Sequence, residues 1–170
     1  LEALGSKLQS LSALQKLDLA FDMNYDISDK GFIALLRGIT ELKRLETLSL
    51  FIEKQHLITD SSISALKDSL SGLNSLRKLS LYFSKWMLTN EGLHLLYQAI
   101  RSLTTLDSLV LRIVGCKMDP KNFITVKKLL NEMQGLQELE ISLGLSLSEK
   151  ESESFSDGLC RMKSLRILKL

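Results

Sequence analysis

A block of leucines spaced L-x-x-L-x-x-L-x-L recurs along the whole chain at nearly constant intervals. The first block contains Leu11, Leu14, Leu17 and Leu19, and further blocks begin at residues 42, 73, 103, 133 and 162, with Met or Ile at a few of the leucine positions. Successive starts are 31, 31, 30, 30 and 29 residues apart. Self-similarity at a fixed period of this length is typical of stacked structural units. Leucine occupies 39 of 170 positions, so we expect it to form the core of every unit.

Each unit is predicted to contain one short strand followed by one helix. Apolar residues alternate through the end of the block, as at Leu17, Leu19 and Phe21, which is the pattern of a strand. A residue that can cap a helix follows in five units, at Ser28, Thr59, Thr89, Asp119 and Ser148. Counting from each cap, apolar residues recur at +4, +7, +11 and +14, which places them on one face of a helix. The predicted helix ends at +14, and the one polar residue at these positions is Ser152.

The chemistry of the helix starts agrees with this prediction. Ser148 and Glu151 have the spacing of a capping box, in which each side chain bonds the other residue's backbone. Asp29 and Asp60 occupy the first turn of two helices, where a carboxylate complements the helix dipole. We therefore assign these two carboxylates to helix stability rather than to acid catalysis.

The order of elements fixes the fold class. Strands separated by helices and repeated in the same order must lie parallel, joined by right-handed crossovers. Strands stack about 4.8 Å apart whereas helices need about 8–10 Å, so the array must curve. The sequence predicts an α/β horseshoe (solenoid) with parallel strands on the concave face and helices on the convex face. We expect residues 1–170 to form a single array of about five to six repeats, cut inside repeats at both ends and so a fragment of a longer array.

Charge and composition exclude several classes of function. The chain has 22 basic and 20 acidic residues, which give no strong field for nucleic acid, and no apolar stretch long enough to insert into a membrane. Two cysteines 44 residues apart, outside any CxxC pair, favour the cytoplasm. We expect Cys116 and Cys160 to be buried, and His56 and His94 to be structural. Since no metal-binding, phosphate-binding or nucleophile motif occurs, we predict no cofactor, no metal and no enzyme activity.

The six blocks and the helix-entry strings at residues 27–32 and 88–93 resemble those of leucine-rich repeat proteins. The unit length and full helix are most similar to the ribonuclease-inhibitor-like subclass, which includes Ran GTPase-activating proteins. The resemblance implies that a protein partner binds the concave strand surface. Members of this family usually have Asn or Cys three residues after the last leucine of each strand, and this chain has neither there. When the equivalent position is counted backwards from the helix cap, only Cys116 matches the family pattern. We therefore expect turns without the usual asparagine ladder.

Candidate partner-binding residues lie at the strand positions that leucine leaves free. Phe51, Tyr82 and Arg112 occupy one column of neighbouring strands, and such residue types are enriched at interface hot spots. The outward positions also include Lys78, Glu138 and Glu140, and the rim before the helices includes Trp86. The alternative is that these side chains are cross-strand packing pairs on a solvated sheet.

These observations predict a non-catalytic protein–protein interaction scaffold whose partner the sequence does not identify. One alternative is a GTPase-activating or regulatory protein, in which Arg112 would be the arginine given to a bound GTPase. Another is the recruiting arm of a larger adaptor or kinase, so that the chain belongs to a larger assembly.

Overall fold

Strands and helices alternate along the chain. The computed structural model describes residues 1–21, 27–53, 58–84, 89–114, 123–144 and 148–170. In chain order the elements are α1 (Glu2–Leu8), β1 (Lys16–Phe21), α2 (Asp29–Thr40), β2 (Thr47–Glu53), α3 (Asp60–Ser71), β3 (Lys78–Ser84), α4 (Asn90–Arg101), β4 (Ser108–Val114), α5 (Phe123–Glu132), β5 (Glu138–Ser142), α6 (Glu149–Arg161) and β6 (Ile167–Lys169).

The strands form one parallel sheet in which each strand pairs with the next one along the chain. The register aligns the third position of every block, namely Leu17, Leu48, Leu79, Leu109, Leu139 and Leu168. Each helix contacts the helices of the neighbouring units. The predicted α/β solenoid, with a strand layer inside and a helix layer outside, is confirmed.

The core lies between these two layers. Leu48 and Leu79 on the strands are at most 1% exposed, as are Phe32 and Leu35 on α2. The first and last blocks differ from the prediction that block leucines are buried, since Leu11 is 49% exposed. Among the last block's residues, Leu168 is exposed as well. Both lie in the first and last units of the structure, where each is packed against one described neighbouring unit.

The helices begin at the predicted caps but end earlier than predicted. Ser148 and Glu151 form the expected capping box, and the Thr59 and Thr89 side chains accept bonds from first-turn N–H groups. Ser28 has the backbone of a cap but its side chain accepts no such bond within the described residues. The +14 residues follow the helices in a turn and remain buried there: Leu42, Leu73, Leu103, Met133 and Met162. Asp119 lies outside the described residues.

Aspartates connect the starts of neighbouring helices. Asp29 of α2 accepts hydrogen bonds from the N–H and hydroxyl of Thr59, at 2.9 and 2.7 Å, and from the Ser62 hydroxyl. Asp60 of α3 accepts the same two bonds from Thr89. The prediction that both aspartates lie in the first turn of a helix is confirmed. The hydrogen bonds that they accept from the following unit were not predicted. The signal was the Thr-Asp pair at residues 59–60, one repeat beyond Ser28-Asp29.

A continuous seam of backbone hydrogen bonds runs along the edge of the sheet where the strands begin. Five carbonyls in this seam each accept two consecutive N–H groups from the next unit, and they belong to Gln15, Glu46, Arg77, Asp107 and Gln137. The first carbonyl accepts from Glu46 and Thr47 at 2.8 and 3.0 Å. In the sequence, each cap and the next block are fourteen residues apart throughout, so the variation in repeat length lies between each strand and the cap that follows it.

Helices α1 and α2 approach through two glycines. A Cβ atom on Gly5 would lie 2.2 Å from the carbonyl oxygen of Ala34, and one on Gly38 would lie 2.1 Å from the carbonyl oxygen of Gly5. A Cβ atom cannot lie so close to a carbonyl oxygen to which it is not bonded, so this helix contact requires glycine at both positions.

The prediction that Cys160 is buried is wrong, because the structure exposes it as a free thiol. Cys160 is twelve residues after the cap Ser148. The equivalent residues of three other helices are polar, namely Thr40, Ser71 and Arg101, and this pattern indicates an exposed position. His94 fits the structural prediction, since its ring is 2.9 Å from the Gln98 side-chain amide. Cys116 and His56 lie outside the described residues. Within the described residues, no helix is long and apolar enough to cross a membrane.

Candidate functional site

The outward side chains of the sheet form columns, because paired residues of parallel strands share one face. We name two of them. The ring column contains Ala20, Phe51, Tyr82, Arg112 and Ser142. The adjacent middle column, two residues earlier on each strand, contains Asp18, Ser49, Ser80, Val110, Glu140 and Lys169.

Phe51 and Tyr82 stack on one another in the ring column. Their ring centroids are 4.2 Å apart and the ring planes differ by 9°. Both side chains are half-buried, so the pair packs against itself while part of each ring faces solvent. The predicted row is therefore present, and its aromatic part also has the cross-strand packing that the alternative interpretation proposed.

Arg112 continues the row but its charge is paired. Its guanidinium forms an ion pair with Glu140 of β5, and Lys169 of β6 lies 3.4 Å from the other oxygen of the same carboxylate. Burial alone would raise the pKa of Glu140, whose side chain is 14% exposed, but the bonds from Arg112 and Lys169 outweigh it and the pKa is lowered. Glu140 therefore fixes the position of Arg112 and stays ionised.

A shallow hollow of about 240 Å³ lies between the two columns on β2, β3 and β4. Its lining includes Ser49, Ser80 and Glu140 of the middle column and Phe51 and Tyr82 of the ring column. The hollow exists because small middle-column side chains stand beside large ring-column ones. Its size suits one or two side chains of a protein partner.

On β1 the ring column carries only a methyl group, at Ala20. Ala20 is exposed and lies opposite Phe51 in the register. In the middle column beside it, Asp18 forms an ion pair of 2.9 Å with Lys16. The hydrogen bond from Lys16, aided by one from Ser49, lowers the pKa of Asp18. The Asp18–Lys16 ion pair therefore lies in the middle column beside Ala20.

The remaining predicted residues are dispersed. Lys78 is exposed at the start of β3. The Glu138 carboxylate accepts a hydrogen bond of 3.0 Å from Ser108 on the neighbouring strand. Neither meets the aromatic pair directly, since each lies at the beginning of its strand. Trp86 lies outside the described residues.

The fold matches known structures although the sequence matches no family model and no curated protein. The structure of leiomodin-1 actin-binding site 2 has a TM-score of 0.69 at 14% identity, with 95% of this chain and 88% of that chain covered. The tropomodulin C-terminal domain of Caenorhabditis elegans has a TM-score of 0.64 at 18% identity, with 95% and 92% covered. This chain has the leucine-rich-repeat fold. An internalin from Listeria monocytogenes has a TM-score of only 0.40 at 16% identity, over 96% of this chain and 49% of that chain, and adds no weight.

Within this leucine-rich-repeat array the described residues offer no group of three His, Cys, Asp or Glu side chains that could bind a metal. The carboxylates of the inner face are paired with cations or hydroxyls, as at Asp18, Glu138 and Glu140. What this face provides is a rigid surface that combines stacked rings, fixed charges and a shallow hollow.

Proposed function

We propose that this leucine-rich-repeat array is a non-catalytic scaffold that binds a protein partner on its concave strand surface. The observation that carries the proposal is the row formed by Phe51, Tyr82 and Arg112 beside the hollow on β2 to β4. Aromatic and arginine side chains that are already positioned lose little conformational entropy when a partner binds. Unit length and the full helix support a place in the ribonuclease-inhibitor-like subclass.

The charges of the inner face favour a protein over nucleic acid. Arg112 and Lys169 are balanced by Glu140, and Lys16 by Asp18. A surface that binds nucleic acid instead needs an excess of cations along the phosphate backbone. The leiomodin-1 structure is described as an actin-binding site, which makes actin the first partner to look for. The exposed Cys160 thiol is in keeping with a cytoplasmic location, where thiols stay reduced.

The GTPase-activator alternative is less well supported. An arginine that completes a GTPase site must reach the transferred phosphate. Arg112 would first have to leave Glu140, with which it forms its ion pair. We therefore retain the scaffold as the proposed function.

The test is site-specific photo-crosslinking. A photoreactive phenylalanine analogue is placed at Tyr82 on the inner face or at Ile124, which is 60% exposed on α5 of the helix layer. Extracts of the source organism are irradiated with each protein, and adducts are identified by mass spectrometry. We expect a specific adduct from position 82 that Arg112→Glu abolishes while circular dichroism is unchanged. Adducts from position 124 alone would contradict the proposal.

A further inference from the structure

Among the described residues, the ring column carries a long side chain on one side of the aromatic pair and only a methyl group on the other. Beyond Tyr82 the next position is Arg112, whose guanidinium pairs with Glu140 of the middle column. Beyond Phe51 the next position is Ala20, which has no side chain beyond Cβ and is exposed. Among the described residues, the register therefore places no side chain larger than a methyl group beside the outer face of the Phe51 ring, and we call this position the space above Ala20.

A planar side chain can occupy this space. Neighbouring strands lie about 4.8 Å apart, which is close to the separation of stacked planar groups. Phe51 and Tyr82 already stack with centroids 4.2 Å apart and nearly parallel planes. A third planar group above Ala20 would extend the same stack by one step without moving either ring.

The charge beside the space selects which planar group is favoured. Asp18 lies two residues before Ala20 on the same face of β1, about 7 Å away along the strand. Its carboxylate already pairs with Lys16 at 2.9 Å and accepts a hydrogen bond from Ser49. A carboxylate has about four acceptor sites, so a guanidinium can share Asp18 with Lys16, as Arg112 shares Glu140 with Lys169. A guanidinium stacks on aromatic faces and pairs with carboxylates through two parallel hydrogen bonds, which an ammonium cannot do.

We propose that the concave surface binds an arginine side chain of its protein partner, stacked on Phe51 above Ala20 and paired with Asp18. This inference rests on the proposed function, since it specifies the partner's chemistry at the same surface. The arrangement would repeat what the chain builds for itself on the other side of the aromatic pair, where Arg112 follows Tyr82 and Glu140 supplies the carboxylate. A partner with an acidic side chain at this position would instead meet the negative charge of Asp18.

The experiment selects peptides from a random phage-displayed library on the full chain. Dissociation constants of the selected peptides are then measured against four variants. Ala20→Leu fills the space, Asp18→Asn removes the charge, Tyr82→Ala disrupts the aromatic pair, and Lys127→Ala on α5 is the matched control. Circular dichroism confirms that each variant is folded.

We expect selected peptides to contain an arginine whose replacement by lysine weakens binding about tenfold or more. Ala20→Leu and Asp18→Asn should weaken the same peptides to a similar extent, and Lys127→Ala should have no effect. Peptides that need Tyr82 but neither arginine nor the space above Ala20 would overturn this inference and leave the proposed function intact. A library that yields no peptide sensitive to Tyr82→Ala would count against both.

Discussion

The carboxylate of Asp29 accepts both the backbone N–H and the hydroxyl of Thr59, the residue that caps the next helix along the chain. The first turn of α2 therefore positions the N-terminus of α3. Asp60 does the same for Thr89 and α4. Since the bonds join successive units, their energy contributes to stacking rather than to any single helix.

Replacing Asp29 by alanine should destabilise the array more than the loss of an ordinary surface carboxylate. Thr59 and Ser62 would lose their shared acceptor, and hydrogen bonds to a charged group contribute about 1.5–3 kcal/mol. We expect Asp29→Ala to lower the free energy of unfolding by about 2 kcal/mol in urea denaturation at neutral pH. The control is Asp68→Ala on α3, whose carboxylate is exposed and should matter little. Equal losses of unfolding free energy for the two substitutions would disprove the inference that Asp29 stabilises the stacking of α2 on α3.

The stabilisation by Asp29 should depend on pH. Burial opposes its ionisation, but the bonds from Ser62 and Thr59 outweigh burial, so the pKa of Asp29 is lowered in the folded state. Its contribution is therefore fully present above the unfolded pKa of about 3.9 and is lost as the pH falls through the folded pKa.

The measurement is the difference in unfolding free energy between the wild type and Asp29→Asn as a function of pH. We expect a constant difference above about pH 5, where the carboxylate is ionised in both states. It should shrink in acid, because a protonated aspartic acid and asparagine are both neutral. A difference that grows in acid would show that folding raises the pKa of Asp29 instead of lowering it.

The glycine contact between α1 and α2 should not tolerate even one methyl group. A Cβ on Gly5 or Gly38 would overlap backbone atoms of the facing helix, and backbone cannot rotate away. We expect Gly5→Ala and Gly38→Ala each to cost about 2 kcal/mol or more. Gly135→Ala, whose Cβ would meet nothing within 4 Å, is the control and should change stability by less than about 0.5 kcal/mol. The measurement is the unfolding free energy of the three variants from thermal denaturation. Equal stability of all three would contradict the close contact between α1 and α2.

A buried serine should contribute to helix stacking. The hydroxyl of Ser69, which is 2% exposed, donates to the Leu36 carbonyl of the preceding helix at 3.0 Å. We expect Ser69→Ala to destabilise the protein by about 1 kcal/mol. Ser71→Ala removes a hydroxyl that donates to Asp68 of its own helix and should have a smaller effect. Comparable losses in urea denaturation would mean that the bond between helices adds nothing.

The sequence predicted the fold well because leucine positions determine it directly. Alternation of two residues fixes which side of a strand is buried, so aligning Leu17 with Leu48 and Leu79 also fixes the register of the sheet. Helix starts were predicted from cap residues, whereas the helix ends were placed too late. Buried residues such as Leu42 continue the apolar spacing after the helix has stopped, so the spacing could not show where it ends.

The candidate site was predicted only as a row of positions. That Phe51 and Tyr82 share a column follows from the repeat, but their stacking depends on side-chain rotamers that spacing does not specify. The ion pair of Arg112 could not be predicted either, because Glu138 and Glu140 lie on the same strand face and a long arginine side chain could reach either. The Gly5 contact was missed because it depends on how closely two helices approach.

The seam of doubly accepting carbonyls acts at the same place in every unit. At the strand starts, Gln15 and its equivalents fix the spacing of every unit to the next. Because every unit is anchored at the same point of its strand, the outward side chains of successive strands keep one register, which brings Phe51 of β2 level with Tyr82 of β3.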